Sequence, residues 1–361
     1  MGMTHTLLKV SAPGRICLFG EHQDYFGLPI IAGAINLRIS FAGRARNDGI
    51  IHIDLPDIQE KEEFSLEGDI PYLKDRHYLR STVNVLKREG IPMPHGWDLS
   101  VQGKIPINSG TASSSAMVVA WIKFFLEAAG DSRADSPETL AEWAFLSEVA
   151  EFGEPGGKMD HYASAVGGVV NIHFEPEMKV RIFPNRLDDF VLADSMQRKN
   201  TTGTLGYIKG NVNNGLKAVR EKLPGFTVHS DLGDRELGAI GKLPKDEQRL
   251  LKGTLNTRDL TREGMALLDS EPLNHGLFGS LLWKQQEVLR EQIGISTPRL
   301  NSLLDAAMEA GALGAKINGS GEGGCIFAYT PGRSEEVYEA LARLDARAFR
   351  VRIDEGARRE D

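Results

Sequence analysis

The chain has 361 residues, 41% of them hydrophobic and 25% charged, with a formal net charge of -8. That is enough chain for two sizeable cores, and its acidic balance argues against nucleic acid or an anionic membrane surface as a partner, since both demand a basic face. No apolar run approaches the roughly 18 residues of a bilayer span, and the two cysteines, Cys17 and Cys325, sit far apart in apolar runs, as buried reduced thiols of a cytoplasmic protein do.

In chain order, Met1–Thr6 fits a myristoylation pattern formally, but chance explains so short a match, and nothing resembles a secretion signal. Leu7–Ser11, Asn36–Arg44, Ile50–Leu55 and Trp97–Val101 alternate or run apolar as strands do. Tyr78–Glu89 carries Leu79, Val83 and Leu86 at helical spacing before Gly90. Pro106–Ala116 is a loop rich in small hydroxyl residues, feeding the apolar helix expected over Met117–Ala129. Ser136–Glu151 reads as another helix, opened by Ser136 as its cap and Pro137 at its first position. Pro155-Gly156-Gly157 interrupts the chain before Lys158–Ala165. Val169–Phe174, Val180–Phe183 and Phe190–Asp194 read as strands. From about residue 195 charged helical segments dominate, among them Lys245–Leu251, Thr261–Asp269, Leu277–Gln292 and Thr297–Ala310, with solvated faces. Gly314–Ile317, Cys325–Tyr329 and Phe349–Ile353 complete the strands. The pattern is that of an α+β protein of two abutting lobes, divided as 1–193 and 194–361.

Four stretches concentrate chemistry. Ser109-Gly110-Thr111-Ala112-Ser113-Ser114-Ser115 offers backbone N–H donors at the positive end of a helix, which suits either a phosphate or simple capping. It is no Walker A loop, because it carries no lysine. Arg15, with Glu21, His22 and Asp24 close behind it, supplies the acceptors and switchable donor that grip sugar hydroxyls, or a salt-bridged surface turn. Asp160 follows the Pro-Gly-Gly break and reads on its own as a cap or turn residue. Asn318–Cys325 is a glycine-rich turn entering a strand rather than a helix, which excludes a dinucleotide fold and leaves a hairpin connection.

Together and in this order, the four resemble the motifs of the GHMP kinases. Ala12-Pro13-Gly14-Arg15 is similar to the first motif, Ser109–Ala116 to the phosphate loop, and Lys316–Cys325 to the C-terminal glycine motif. Gly20-Glu21-His22-Gln23-Asp24-Tyr25 and Met159-Asp160-His161 resemble the galactokinase branch, with Gln23 in place of the usual Thr and His161 in place of Gln. The resemblance implies a first lobe like ribosomal S5 domain 2 and a ferredoxin-like second lobe. It implies an ATP-dependent kinase acting on a monosaccharide, most simply at the anomeric hydroxyl. A uronic acid, heptose or mevalonate as acceptor, or a silent sugar and ATP sensor, are the alternatives. By position it makes Asp160 the catalytic aspartate and Arg15 its partner, with Glu21, His22, Asp24 and Tyr207 binding substrate and Ser109 to Ser115 binding ATP. Ser115 and Glu148 would hold Mg²⁺, with Glu151 as the alternative to Glu148. The implied partners are small molecules, with the chain a monomer or homodimer.

Overall fold

The computed structural model describes residues 7–184, 186, 187, 189–198, 201–229 and 243–360, so the Met1–Thr6 pattern lies outside the described residues. Among the described residues twelve strands form two sheets. The first is built on two long strands, β1 (Leu8–Phe19) and β2 (Ile30–Arg46). The far half of β2 pairs with β5 (Gly96–Gly103), which runs parallel to β3 (Ile50–Leu55), itself paired with β4 (Glu60–Ser65). The near half of β2 pairs with β6 (Val169–His173), which carries β7 (Lys179–Phe183). The second sheet is four-stranded and antiparallel, in the order β11 (Arg347–Val351), β8 (Phe190–Asp194), β10 (Cys325–Tyr329) and β9 (Gly314–Ile317). The last strand, β12 (Arg358–Glu360), returns to pair with β1. A cut at 193/194 therefore falls inside β8, while the C-terminus belongs to the first sheet.

Several elements run longer than their sequence pattern. Ala12-Pro13-Gly14-Arg15 lies inside β1 rather than beyond its end, with a register shift between Pro13 and Gly14 that absorbs the missing proline N–H. Lys245–Leu251 and Thr261–Asp269 are the two ends of one helix, Lys245–Asp269. Its middle hides from pattern reading because Thr254, Thr257, Arg258 and Thr261 are buried with polar partners inside the fold. The expected helix over 136–151 is α-helical only over Pro137–Phe145 and then widens into a π-helical turn, Leu146–Ala150.

Helix α2 (Ser113–Ala129) and helix α4 (Met159–Val166) pack on the first sheet, α1 (Tyr78–Arg88) packs against α2, and α3 (Pro137–Phe145) packs against both α2 and α4. The two sheets and their helices share one continuous apolar core. Cys17 and Cys325 are both buried, and neither takes part in a disulfide. Among the described residues no helix is long and apolar enough to cross a membrane.

The core packing of α2 sets the height at which its first turn meets the cleft. Trp121, fully buried, stacks on Phe41 of β2 at 4.9 Å and donates its indole N–H to the Leu79 carbonyl at 3.0 Å. Trp121→Ala should therefore lower unfolding stability by about 3–5 kcal/mol, as large-to-small changes at buried aromatics do, read as a fall in urea midpoint at constant slope. A loss under about 1 kcal/mol would mean that the stack does not anchor the helix.

Candidate active site

The hydroxyl-rich loop and its helix meet four residues earlier than the apolar pattern implies. Asn108, Gly110 and Ala112 take left-handed backbone conformations with φ of 56°, 82° and 60°, and α2 begins at Ser113. Ser113, Ser114 and Ser115 thus form the first helical turn, whose N–H groups have no partner within the helix and carry the positive end of its dipole. The reversal before the turn needs left-handed residues, and no periodicity announces them.

The loop is clamped from both sides. The Thr111 carbonyl accepts the Arg15 N–H of β1 at 3.1 Å, and the Ser109 carbonyl accepts the Cys325 N–H of β10 at 2.8 Å. The Gly110 carbonyl accepts from Asn318 Nδ2 at 2.9 Å and from the Arg15 guanidinium. The glycine-rich turn comes so close that a Cβ on Gly319, where φ is +76°, would stand 2.9 Å from the Gly110 carbonyl oxygen. Ser109 and Thr111 spend their hydroxyls on this framework, donating to Asp194 Oδ2 at 2.7 Å and to the Pro106 carbonyl at 3.1 Å. Ser109, Gly110, Ala112, Ser113, Ser114 and Ser115 line a cleft of about 390 Å³, whereas Thr111 lies behind it.

Arg15 sits at the centre of that cleft. Its Nε and Nη2 donate to Asp160 Oδ1 at 2.8 and 2.6 Å, with Arg15 buried and Asp160 partly open. Burial works against the guanidinium charge, and the neighbouring acidic groups, led by Asp160, more than offset it. Asp160 stands in the first turn of α4, just after the Pro-Gly-Gly break. Asp24 Oδ2 accepts the Met159 N–H of the same turn at 3.2 Å, and Asp24 Oδ1 accepts the Tyr25 N–H at 3.0 Å. A Cβ on Gly157 would lie 2.1 Å from the Asp24 carboxylate, so only glycine admits this approach. Burial first, and then the charge of Asp160, push the Asp24 carboxyl up to about 6.

The remaining expected residues separate. His22 Nδ1 is hydrogen-bonded to the Tyr25 hydroxyl at 2.8 Å, and both residues line the cleft. Glu21 lines the cleft too, but one of its oxygens is bonded to the buried ammonium of Lys316. Glu148, carried by the π-helical turn, accepts from His161 Nε2 at 2.8 Å and from the hydroxyls of Ser114 and Ser115. Burial opposes its charge, but the His161 bond and the serine hydroxyls hold its carboxyl below the usual range. Glu151 accepts instead from the Tyr72 hydroxyl at 2.6 Å and pairs with Arg88, away from the cleft lining.

Tyr207 is not brought to the cleft. It lies on α5 (Thr201–Lys222), about half exposed, with its hydroxyl bonded to Asp246. On α5 the cleft-lining residues are Thr201 and Leu205, one turn apart. Two residues beyond Leu205, at about 100° per residue, a side chain is on the opposite face of the helix. Tyr25 lines the cleft next to Asp24, and its place beside Asp24 in the sequence was the available signal. Residue pattern alone also passed over Arg76, Tyr78 and Glu154, which form a rim cluster with Arg76 Nε 2.6 Å and the Tyr78 hydroxyl 3.0 Å from Glu154. Beyond the phosphate loop the cleft becomes apolar, walled by Ile39, Leu55, Val101, Ile105 and Met117.

Residues 77–168 match the GHMP kinases N-terminal domain, residues 268–346 the GHMP kinases C-terminal domain, and residues 4–45 the galactokinase galactose-binding signature. The mevalonate kinase of Pyrococcus horikoshii is 30% identical over 341 residues, covering 92% of this chain and 91% of its own. The galactokinase of Mannheimia succiniciproducens is 26% identical over 354 residues, covering 93% of this chain and 88% of its own. In fold, the chain is similar to the Lactococcus lactis galactokinase complexed with galactose (TM-score 0.83, 20% identity, 98% of this chain and 95% of that one). It is also similar to the Methanococcus jannaschii mevalonate kinase (TM-score 0.75, 19% identity, 98% and 100%). The chain belongs to the GHMP kinases, phosphotransferases that pass a phosphoryl group from ATP to an alcohol, and within them to the galactokinase-like branch.

Proposed function

We propose that this enzyme phosphorylates a neutral monosaccharide, with galactose the first candidate and the anomeric hydroxyl the site of transfer. The observation that carries the reading is the pair of carboxylates at the acceptor end, Asp24 and Asp160, beside an Arg15 already committed to Asp160. Hydroxyl groups donate well to such carboxylates, whereas an acceptor with its own carboxylate would meet like charge beside an arginine that Asp160 already pairs.

In this reading the ATP phosphates lie on the N–H groups of the Ser113–Ser115 turn, with the base in the apolar part of the cleft. Asp160 accepts the proton of the attacking hydroxyl or aims it at the γ-phosphorus. Arg15 fixes the Asp160 carboxylate through its two donors and offsets charge that grows on the transferring group. Glu148, with Ser115 beside it, is a hard-oxygen donor set that fits Mg²⁺ when phosphate and water complete the shell. These two residues would hold the ion, which neutralises phosphate charge when bound. His161 orients the Glu148 carboxylate through its 2.8 Å bond.

A second reading, transfer to mevalonate, is favoured by the sequence relatives. An ADP-release assay with Mg-ATP against neutral aldoses, heptoses, uronic acids and mevalonate separates the two. Turnover should be greatest with a neutral sugar, and turnover with mevalonate alone would overturn the proposal. Silence with every acceptor would instead favour a sugar and ATP sensor.

Asp160→Asn should lower kcat by about a hundredfold or more while ATP binding changes little, the usual scale for removing a proton-transfer group. Unchanged turnover would remove Asp160 from the catalytic role. Asp24 gives a separate readout. Its carboxyl titrates near 6 when folded against 3.8 ordinarily, so the native state holds a proton that the unfolded chain has lost. The stabilisation it contributes is complete below 3.8 and fades as pH rises to about 6. Relative to Asp24→Asn, the wild-type urea midpoint should thus fall across that window and level off above it. A constant difference between the two proteins would show that Asp24 is not perturbed.

A further inference from the structure

Lys316 is wholly buried on β9 of the second sheet, bonded to Glu21, which lines the cleft. A buried ammonium is tolerated only with a countercharge and with all three protons accepted. Lys316 meets both conditions. Its Nζ donates to the Cys17 carbonyl at 2.9 Å, to the Ile317 carbonyl at 3.1 Å and to Glu21 Oε1, with the face of Phe327 5.1 Å away. Glu21 is not so fully served. It is also wholly buried, and its second oxygen, Oε2, has no hydrogen-bond partner. Leaving a charged oxygen unsatisfied is costly in isolation, yet Glu21 belongs to the lining of the cleft. The oxygen left over is therefore an acceptor awaiting a hydroxyl from a ligand.

We propose that Lys316 is a positioning residue for acceptor binding, holding Glu21 from the second sheet so that Oε2 is presented to an alcohol in the cleft. This rests on reading the Glu21–Asp24 turn as the acceptor site. The ion pair joins the two sheets: Glu21 follows β1 of the first, and Lys316 comes from the second. Asn318, two residues on, accepts the Cys17 N–H on its Oδ1 at 2.9 Å, so the end of β1 is gripped at successive points. The charged groups around the pair are Arg15, committed to Asp160, and Asp24, held by the Met159 N–H; neither supplies Glu21 with a second cation.

The test uses the full-length enzyme, Mg-ATP and whichever acceptor the wild type turns over fastest. Lys316→Met should raise the acceptor KM by about tenfold to a hundredfold, the scale of one hydrogen bond to a charged group, and leave the ATP KM within about twofold. Glu21→Gln should do the same. Glu21→Gln combined with Lys316→Met should be no worse than either single change, because both act through one oxygen. Lys316→Arg should restore part of the acceptor affinity. The double variant carries no unpaired buried charge, so it keeps the test open if Lys316→Met fails to fold. A folded double or Met variant with the wild-type acceptor KM, or with acceptor and ATP KM raised alike, overturns the proposal. A wild type that accepts only mevalonate would sink the neutral-sugar reading, while the same KM comparison made on mevalonate still decides the role of Lys316.

Discussion

One buried guanidinium ties the cleft together. Arg15 reaches from β1 to the Asp160 carboxylate on α4 and to the Gly110 carbonyl of the phosphate loop, while its own N–H holds the Thr111 carbonyl. Burying a charge is tolerable only when partners replace its water, so these contacts constrain one another. If the loop moved, Arg15 would lose an acceptor; if α4 moved, it would lose its countercharge. The Ser109–Ser115 loop and the Asp160 carboxylate are thereby held in one register, the arrangement that electrostatic preorganisation requires.

Around that centre, charge is sorted along the cleft. The Ser113–Ser115 turn presents N–H groups and helix dipole without a lysine, which suits phosphates already accompanied by a cation. The acceptor side is acidic, with Asp24 and Asp160 close enough that burial and mutual repulsion push the Asp24 carboxyl up to about 6. Glu148 sits between, held ionised by His161 and the loop serines. An enzyme that must bring a polyanion and an alcohol together gains from placing donors at one end and acceptors at the other.

The second sheet contributes more than a floor. Its glycine-rich turn packs backbone to backbone on the phosphate loop, and β9 supplies the lysine that pairs with Glu21. Both contacts use residues far apart in sequence from the motifs they support. The cleft is a product of how the two sheets abut, and its two halves are not separately complete.

Much of this was legible in the chain itself. Each short polar cluster read alone left Asp160 a cap residue and the serine loop a simple N-cap; only the joint order of the motifs, resembling the GHMP kinases, singled out Arg15, Asp24, Asp160 and the serine turn. Strand alternation and helical spacing located most elements, since burying one face imposes the period. Sequence could not decide which side of α5 faces the cleft, so Tyr207 was assigned to it and Leu205 was not. Nor could it show that the residues after Phe145 widen into a π-helical turn bearing Glu148, or that Glu21 pairs with Lys316 295 residues away. Local composition determines which residues can do chemistry and which faces are buried. Partnership across sheets is decided by tertiary packing alone, because direction and distance between remote side chains leave no period in the sequence.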